Sequence, residues 1–129
     1  MMFKHKKSPV ITLDCLGGTE ICVARNRKEI KYLIDHNYTG EVHAHRMEIA
    51  MNARGCYIGT VIDGVVYFAV GFNEDFDFTT VIHEASHLVD MVFEQRGIPF
   101  GTESTEIRAY TLQYICQELF KIMGVKYGL

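Results

Sequence analysis

The chain has 129 residues, of which 48% are hydrophobic and 22% are charged, and its net charge is −3. This length provides one hydrophobic core and excludes two. No apolar run approaches the ~20 residues of a membrane-spanning helix, and the negative charge gives no general attraction to nucleic acid. The four cysteines form no Cys-x-x-Cys pair, which is typical of free thiols in a reducing compartment. We therefore expect one cytoplasmic domain over residues 1–129, without a membrane or nucleic-acid partner.

The N-terminal part of the chain predicts a strand followed by a helix. Residues 8–16 are rich in β-branched side chains and precede a Gly-Gly pair, as at the end of a strand. Asn26 and Glu29 have the spacing of a capping box at the start of a helix. We expect that helix to end within residues 37–40 and to bury a stripe of Ile30, Leu33 and Ile34.

The middle of the chain predicts a β-hairpin. Residues 42–49 are ambiguous, and their alternation slightly favours a strand on which His43 and His45 face one side. Those histidines are either a second metal-binding pair or exposed surface residues. Residues 56–62 and 65–72 flank Asp63-Gly64, a dipeptide that suits a tight two-residue turn.

Two helices complete the predicted domain. The first has Asp77 or Thr79 as its cap and ends at Gly97. Its wide apolar surface indicates a buried helix, with one row of Val81, Ala85, Leu88 and Val92 and another of Ile82, Val89 and Phe93. The second starts after Gly101, with Thr102 as its cap, and ends at Gly124, with a core stripe of Leu112, Ile115, Leu119 and either Ile122 or Met123. The predicted fold class is α+β, with a small antiparallel or mixed sheet packed against helices.

Residues 83–87 are His-Glu-Ala-Ser-His, an HExxH motif inside the first of these helices. At positions i and i+4 both imidazoles lie on one helical face, so that His83 and His87 can bind one metal ion. Glu84 is rotated by about 100° from His83, which places its carboxylate beside the ion as a general base for metal-bound water. The alternative is a pair of structural histidines with a salt-bridging glutamate.

A catalytic zinc ion needs a third protein ligand, and the last helix offers two acids near its start. Glu106 is the preferred ligand, because residues 97–101 turn the chain back and Ala109 allows the two helices to approach closely. Glu103 is the second choice. Otherwise both are ordinary acids at the N-terminal end of a helix.

Two other residues are candidates for supporting roles. Tyr110 lies one turn beyond Glu106 and is either a catalytic donor to the oxyanion or a core tyrosine. Asp90 either orients a metal-binding imidazole or is a plain surface residue.

The motif and its sequel resemble known zinc enzymes. An HExxH motif followed by Glu-x-x-Ala is similar to the gluzincin branch of zinc metallopeptidases, in which both histidines and the later glutamate bind zinc. More narrowly, the segment resembles small metallopeptidase-like proteins of phages and prophages, which have a Gly-Ile turn and a Glu followed by an Ala-Tyr pair. Glu106 and Ala109-Tyr110 match that acid and that pair. The resemblance covers residues 68–115 and implies a minimal zincin-like domain, located in the host cytoplasm if phage-encoded.

Together these features predict a zinc-dependent metallopeptidase that acts on a peptide or protein. Its cofactor is Zn²⁺, its metal ligands are His83, His87 and Glu106, and its catalytic residues are Glu84 and Tyr110. Strand 65–72 is expected to line the cleft and hold an extended peptide by edge pairing. One alternative is a zinc-binding phage or prophage protein that holds a host or phage partner without turnover, and another is a zinc hydrolase of non-peptide amides. The sequence leaves the substrate and the oligomeric state open.

Overall fold

The computed structural model describes residues 3–4, 8–99 and 101–125, which form an α+β domain. In chain order the strands and helices are β1 (Val10–Leu13), β2 (Thr19–Ala24), α1 (Arg27–Asn37), α2 (Gly40–Asn52), β3 (Gly55–Ile62), β4 (Val65–Phe72), α3 (Phe78–Gln95) and α4 (Thr105–Met123). Short 3₁₀ turns occupy Asp14–Leu16 and Thr102–Ser104. None of the described helices has the length and apolar character needed to cross a membrane.

The four strands form one mixed sheet in the order β1-β2-β4-β3. The outer pairs, β1 with β2 and β3 with β4, are antiparallel, whereas the central strands β2 and β4 are parallel, with Ile21 opposite Phe68. Both sides of β4 are therefore occupied by neighbouring strands. The expectation that strand 65–72 binds a peptide at its edge is wrong, because the edge strands are β1 and β3.

Two helical layers cover the two faces of the sheet. Side chains alternate along β2, so that Ile21 and Val23 join the core under α3 and α4, while Cys22 and Ala24 join the core under α1 and α2. The larger core buries most of the predicted apolar face of α3, which includes Leu88, Val92 and Phe93. Ile82 is the exception and is 40% exposed. The HExxH helix thus packs against both the sheet and the last helix.

Several local predictions are confirmed. The side chain of Asn26 accepts a hydrogen bond from the backbone N–H of Glu29 (2.9 Å) and caps α1. The hairpin of β3 and β4 turns at Asp63 and Gly64, which both have positive φ, as a two-residue type I′ turn requires. Gly124 follows α4 in the left-handed conformation.

Other local predictions are wrong. Residues 8–16 do not form one strand, because the chain leaves β1 at Leu13 and enters a 3₁₀ turn. Strand β2 was not predicted. Residues 42–49 belong to helix α2 and not to a strand, and Ser104, rather than Thr102, precedes the first residue of α4.

Candidate metal centre

Helix α3 begins at a capping box that fixes the position of the motif behind it. The Asp77 carboxylate accepts hydrogen bonds from the hydroxyl of Thr79 (2.6 Å) and the backbone N–H of Thr80 (2.9 Å). These hydrogen bonds lower the pKa of Asp77 to about 2. Of the two predicted caps, Asp77 is the one that the helix uses.

The two motif histidines converge on one point beside α3. The Nε2 atoms of His83 and His87 are 3.2 Å apart, and the rings meet edge-on with their centroids separated by 4.8 Å. Two nitrogen ligands of a tetrahedral zinc ion, each ~2.05 Å from the metal, lie about 3.3 Å apart. The His83 side chain is 68% exposed, which gives an ion access from solvent. The two donor nitrogens therefore fit a single metal ion.

Glu84 is the buried member of the motif. The residue is 5% exposed, and its Oε2 has no hydrogen-bond partner among the described residues. Its Oε1 lies 3.9 Å from Nε2 of His83, so that the carboxylate is beside the histidine pair. Burial raises the pKa of Glu84, and the nearby His83 and His87 partly oppose this rise. A buried carboxylate oxygen of this kind is commonly satisfied by a bound water.

Strand β3 lies against the motif because Gly55 has no side chain. A Cβ atom added at Gly55 would be 2.9 Å from Cγ of Glu84 and 2.9 Å from Cγ2 of Thr80, closer than real Cβ atoms approach their neighbours. Burial raises the pKa of the adjacent Cys56 thiol to about 11, and the charge of Glu84 adds to the rise. The first residues of β3 therefore close one side of the space around Glu84.

Tyr57 is a residue of this site that the sequence analysis missed. Its ring stacks on the imidazole of His87 with a centroid separation of 4.5 Å and an interplanar angle of 23°. The available signal was the spacing Gly55-x-Tyr57-x-Gly59, because glycines inside a strand often mark the close approach of another element. A strand with this pattern, placed next to an HExxH helix, would have indicated the contact.

Asp90 does not orient an imidazole. Its carboxylate forms an ion pair with Arg108 of α4, and the guanidinium of Arg108 also lies over the ring of Phe93, 5.1 Å from the centroid. Asp90 is therefore a surface residue that joins the two helices.

The structure does not bring the predicted α4 residues to the motif. Arg108 faces α3, and at 100° per residue Glu106 and Tyr110 each lie about 160° around α4 from it. Both line a groove on the other side of α4, together with Leu13 and Cys15. Tyr110 is 67% exposed, so that it is not a core tyrosine.

The site therefore has two converging nitrogen donors without a third ligand in place. Glu103 is exposed on the turn before α4, and Glu106 lines the groove on the other side of that helix. Within the ranges that the structure describes, no group of three His, Cys, Asp or Glu side chains is arranged to hold a metal ion.

The other two candidate histidines lie elsewhere. His43 and His45 are on α2, where positions i and i+2 point in directions about 160° apart. His43 contacts the carboxylate of Asp35 at 2.7 Å, whereas His45 is exposed. The expectation that both face one side of a strand is wrong, and they do not form a metal-binding pair.

No protein family, curated protein or solved structure matches this chain significantly.

Proposed function

We propose that the protein is a zinc-dependent hydrolase of peptide bonds with a minimal zincin-like fold. In this proposal His83 and His87 bind the ion and Glu84 is the general base. One observation carries it, which is the pair of Nε2 atoms 3.2 Å apart beside a buried carboxylate with an unpartnered oxygen. A purely structural role gives that oxygen no partner among the described residues, and a buried oxygen left unsatisfied costs about 1–3 kcal/mol.

The metal ion and the Glu84 carboxylate have separate roles in the proposed reaction. When bound, zinc supplies a water whose pKa is lowered to about 7 and polarises the scissile carbonyl. The carboxylate of Glu84 takes a proton from the attacking water and passes it to the leaving amine. Its position favours this role, because the buried carboxylate is held beside the two histidines.

An extended peptide is the proposed substrate, and β3 is the proposed place where it binds. This strand is at the edge of the sheet and lies along α3 from Gly55 onward. An edge strand has unpaired backbone groups, which bind an added strand by main-chain hydrogen bonds. A peptide paired with β3 runs past the two histidines.

The third metal ligand is the part of the proposal that needs its own experiment. Glu106 is assigned on its place in the sequence and on the resemblance, and its position on the far side of α4 does not support the assignment. Elemental mass spectrometry on protein purified without chelator measures the zinc content of the wild type, His83→Ala, Glu106→Ala and Glu103→Ala. Exposed Glu94 of α3 provides the control Glu94→Ala.

We expect about one zinc per chain in the wild type and none in His83→Ala, as a site with histidine ligands requires. Loss of zinc in Glu106→Ala would establish that ligand, whereas retained zinc would transfer the role to Glu103 or to water. A wild type without stoichiometric zinc, even after reconstitution, would refute the proposed function.

The role of Glu84 is tested by Glu84→Gln, which keeps the shape of the side chain and removes the base. We expect the variant to fold and to retain zinc, and its hydrolysis of a peptide library to fall by at least ~10²-fold. Glu94→Gln, on the same helix, is the matched control. If Glu84→Gln cleaved at the wild-type rate, Glu84 would have no part in the mechanism.

The missing third ligand favours a second candidate, a zinc-binding protein that holds a partner without turnover. This alternative predicts zinc binding without hydrolysis and undiminished partner binding in Glu84→Gln. If Glu84→Gln abolished the biological effect of the protein, this candidate without turnover would be excluded. Hydrolysis assays on a panel of non-peptide amides distinguish both candidates from a zinc hydrolase of such amides.

A further inference from the structure

Strand β3 follows the motif face of α3 in a defined register. Gly55 meets Thr80 and Glu84, and a Cβ atom added at Gly59 would be 3.3 Å from Sδ of Met91. Alternate residues of a strand share one face, so that Tyr57 faces α3 between the two glycines. Of the three positions only Tyr57 carries a side chain, and that side chain contacts His87.

Among the described residues, rings and no second hydrogen bond hold the imidazole of His87. A metal-binding histidine usually donates its other ring N–H to a carboxylate or a carbonyl group, which fixes the orientation of the ring. Within the described part of the chain, the hydrogen-bonding contact of His87 is the one between its Nε2 and Nε2 of His83. Asp90, the carboxylate predicted for this role, is paired with Arg108.

The ring of Tyr57 is in a position to orient the His87 imidazole in place of a hydrogen bond. Its ring covers one face of the His87 imidazole at 4.5 Å and 23°, and His83 meets the same imidazole edge-on at 77°. Stacked aromatic contacts of this geometry are stabilising beyond the area they bury. With one face covered, the imidazole cannot tilt out of its plane without losing the contact, so that the ring keeps the plane in which its Nε2 meets that of His83.

We propose that Tyr57 is a positioning residue of the metal centre, which holds the His87 imidazole by ring stacking so that both Nε2 atoms point at one ion. This inference rests on the proposed function, because it concerns a ligand of the same ion. The ring, and not the phenol hydroxyl, is the part that acts. Phenylalanine is therefore expected to replace Tyr57, and an aliphatic residue is not.

The test compares Tyr57→Val with Tyr57→Phe. Valine favours strands, and Tyr57 is 39% exposed, so that Tyr57→Val is expected to fold. The control is Val61→Ala, which shortens a side chain on the same face of β3 that is 64% exposed. Zinc affinity is measured by competition with a chromogenic chelator, which requires no substrate, and circular dichroism verifies the fold of each variant.

We expect Tyr57→Val to bind zinc at least ~10-fold more weakly, as when a group that orients a metal ligand is lost. Tyr57→Phe and Val61→Ala are expected to bind within about twofold of the wild type, since both keep the ring against His87. If Tyr57→Val does not fold, Tyr57→Leu, which retains apolar volume without a planar ring, takes its place with the same expected loss.

Each other result overturns a specific statement. Wild-type affinity in a folded Tyr57→Val or Tyr57→Leu removes Tyr57 from the metal centre and leaves the zinc proposal intact. Equal losses in Tyr57→Phe and Tyr57→Val refute the role of the ring. A wild type that binds no zinc refutes the proposed function and, with it, this inference.

Discussion

Replacing Gly55 by alanine tests the contact between β3 and the HExxH helix. The new methyl group would lie 2.9 Å from Cγ of Glu84 and from Cγ2 of Thr80, so that the strand or both side chains must shift. Overpacking of this kind typically costs about 1–3 kcal/mol. For a domain of this size, each kcal/mol lowers Tm by roughly 4 °C, which gives an expected loss of ~4–12 °C.

The matched control is Gly101→Ala. A Cβ atom at Gly101 meets nothing within 4 Å, and the backbone there is extended, with a φ of −170°. This variant is expected to change stability by less than ~0.5 kcal/mol. Thermal unfolding followed by circular dichroism measures both, with urea titration as a second estimate of the free energy of unfolding.

A double variant identifies which contact is responsible. Thr80→Ser removes Cγ2 and keeps the hydroxyl that bonds to Asp77. In the Gly55→Ala background this change should recover at least ~0.5 kcal/mol relative to the sum of the single effects, because the two positions touch. If Gly55→Ala is as stable as Gly101→Ala, β3 does not lie against α3 as described, whereas simple addition of the two effects would assign the clash to Glu84 and not to Thr80.

Three further results are expected. Without metal, Glu84→Gln should be more stable than the wild type by about 1 kcal/mol, because a neutral amide is less costly to bury than an unpartnered carboxylate. Urea titrations near neutral pH measure this difference. Equal stability would show that the carboxylate is solvated. The low pKa of Asp77, about 2, means that its cap contributes stability above the ordinary aspartate pKa of ~3.9 and loses it as the pH falls toward ~2. Over this range Asp77→Asn should show a shallower fall in Tm than the wild type, and parallel curves would contradict the assignment. At about pH 8 an alkylating reagent should modify exposed Cys15 at least ~10-fold faster than Cys22, because burial raises the pKa of the Cys22 thiol to about 12. Peptide mass spectrometry measures the two rates, and equal rates would contradict this expectation.

The HExxH helix was predictable because its signals are local. The cap at Asp77, the apolar rows and the glycine at its end all lie within one stretch of chain. Strand β2 was missed because one of its two pairings is not local: it pairs with the neighbouring β1, but its other partner, β4, comes two helices and a strand later. Helix α2 buries fully only Ala50, so that its sequence has little amphipathic character and the alternation around His43 misleads.

The sequence contained two conflicting signals for the position of Glu106. The resemblance to gluzincins directs it toward the histidines, whereas helical periodicity places it about 180° around α4 from the buried Ile115. Both signals were present in the sequence, and they conflict. The structure follows the periodicity because burial of Ile115 and Leu119 determines which face of α4 meets the core.

The parallel pairing of β2 with β4 also governs when the domain can fold. During synthesis β2 emerges early and finds only β1 to pair with, since β4 follows after α1, α2 and β3. Contacts so distant along the chain close large loops and form slowly. The nascent chain therefore carries a half-paired central strand of buried residues until the hairpin has left the ribosome, and this interval is when aggregation or chaperone capture would occur.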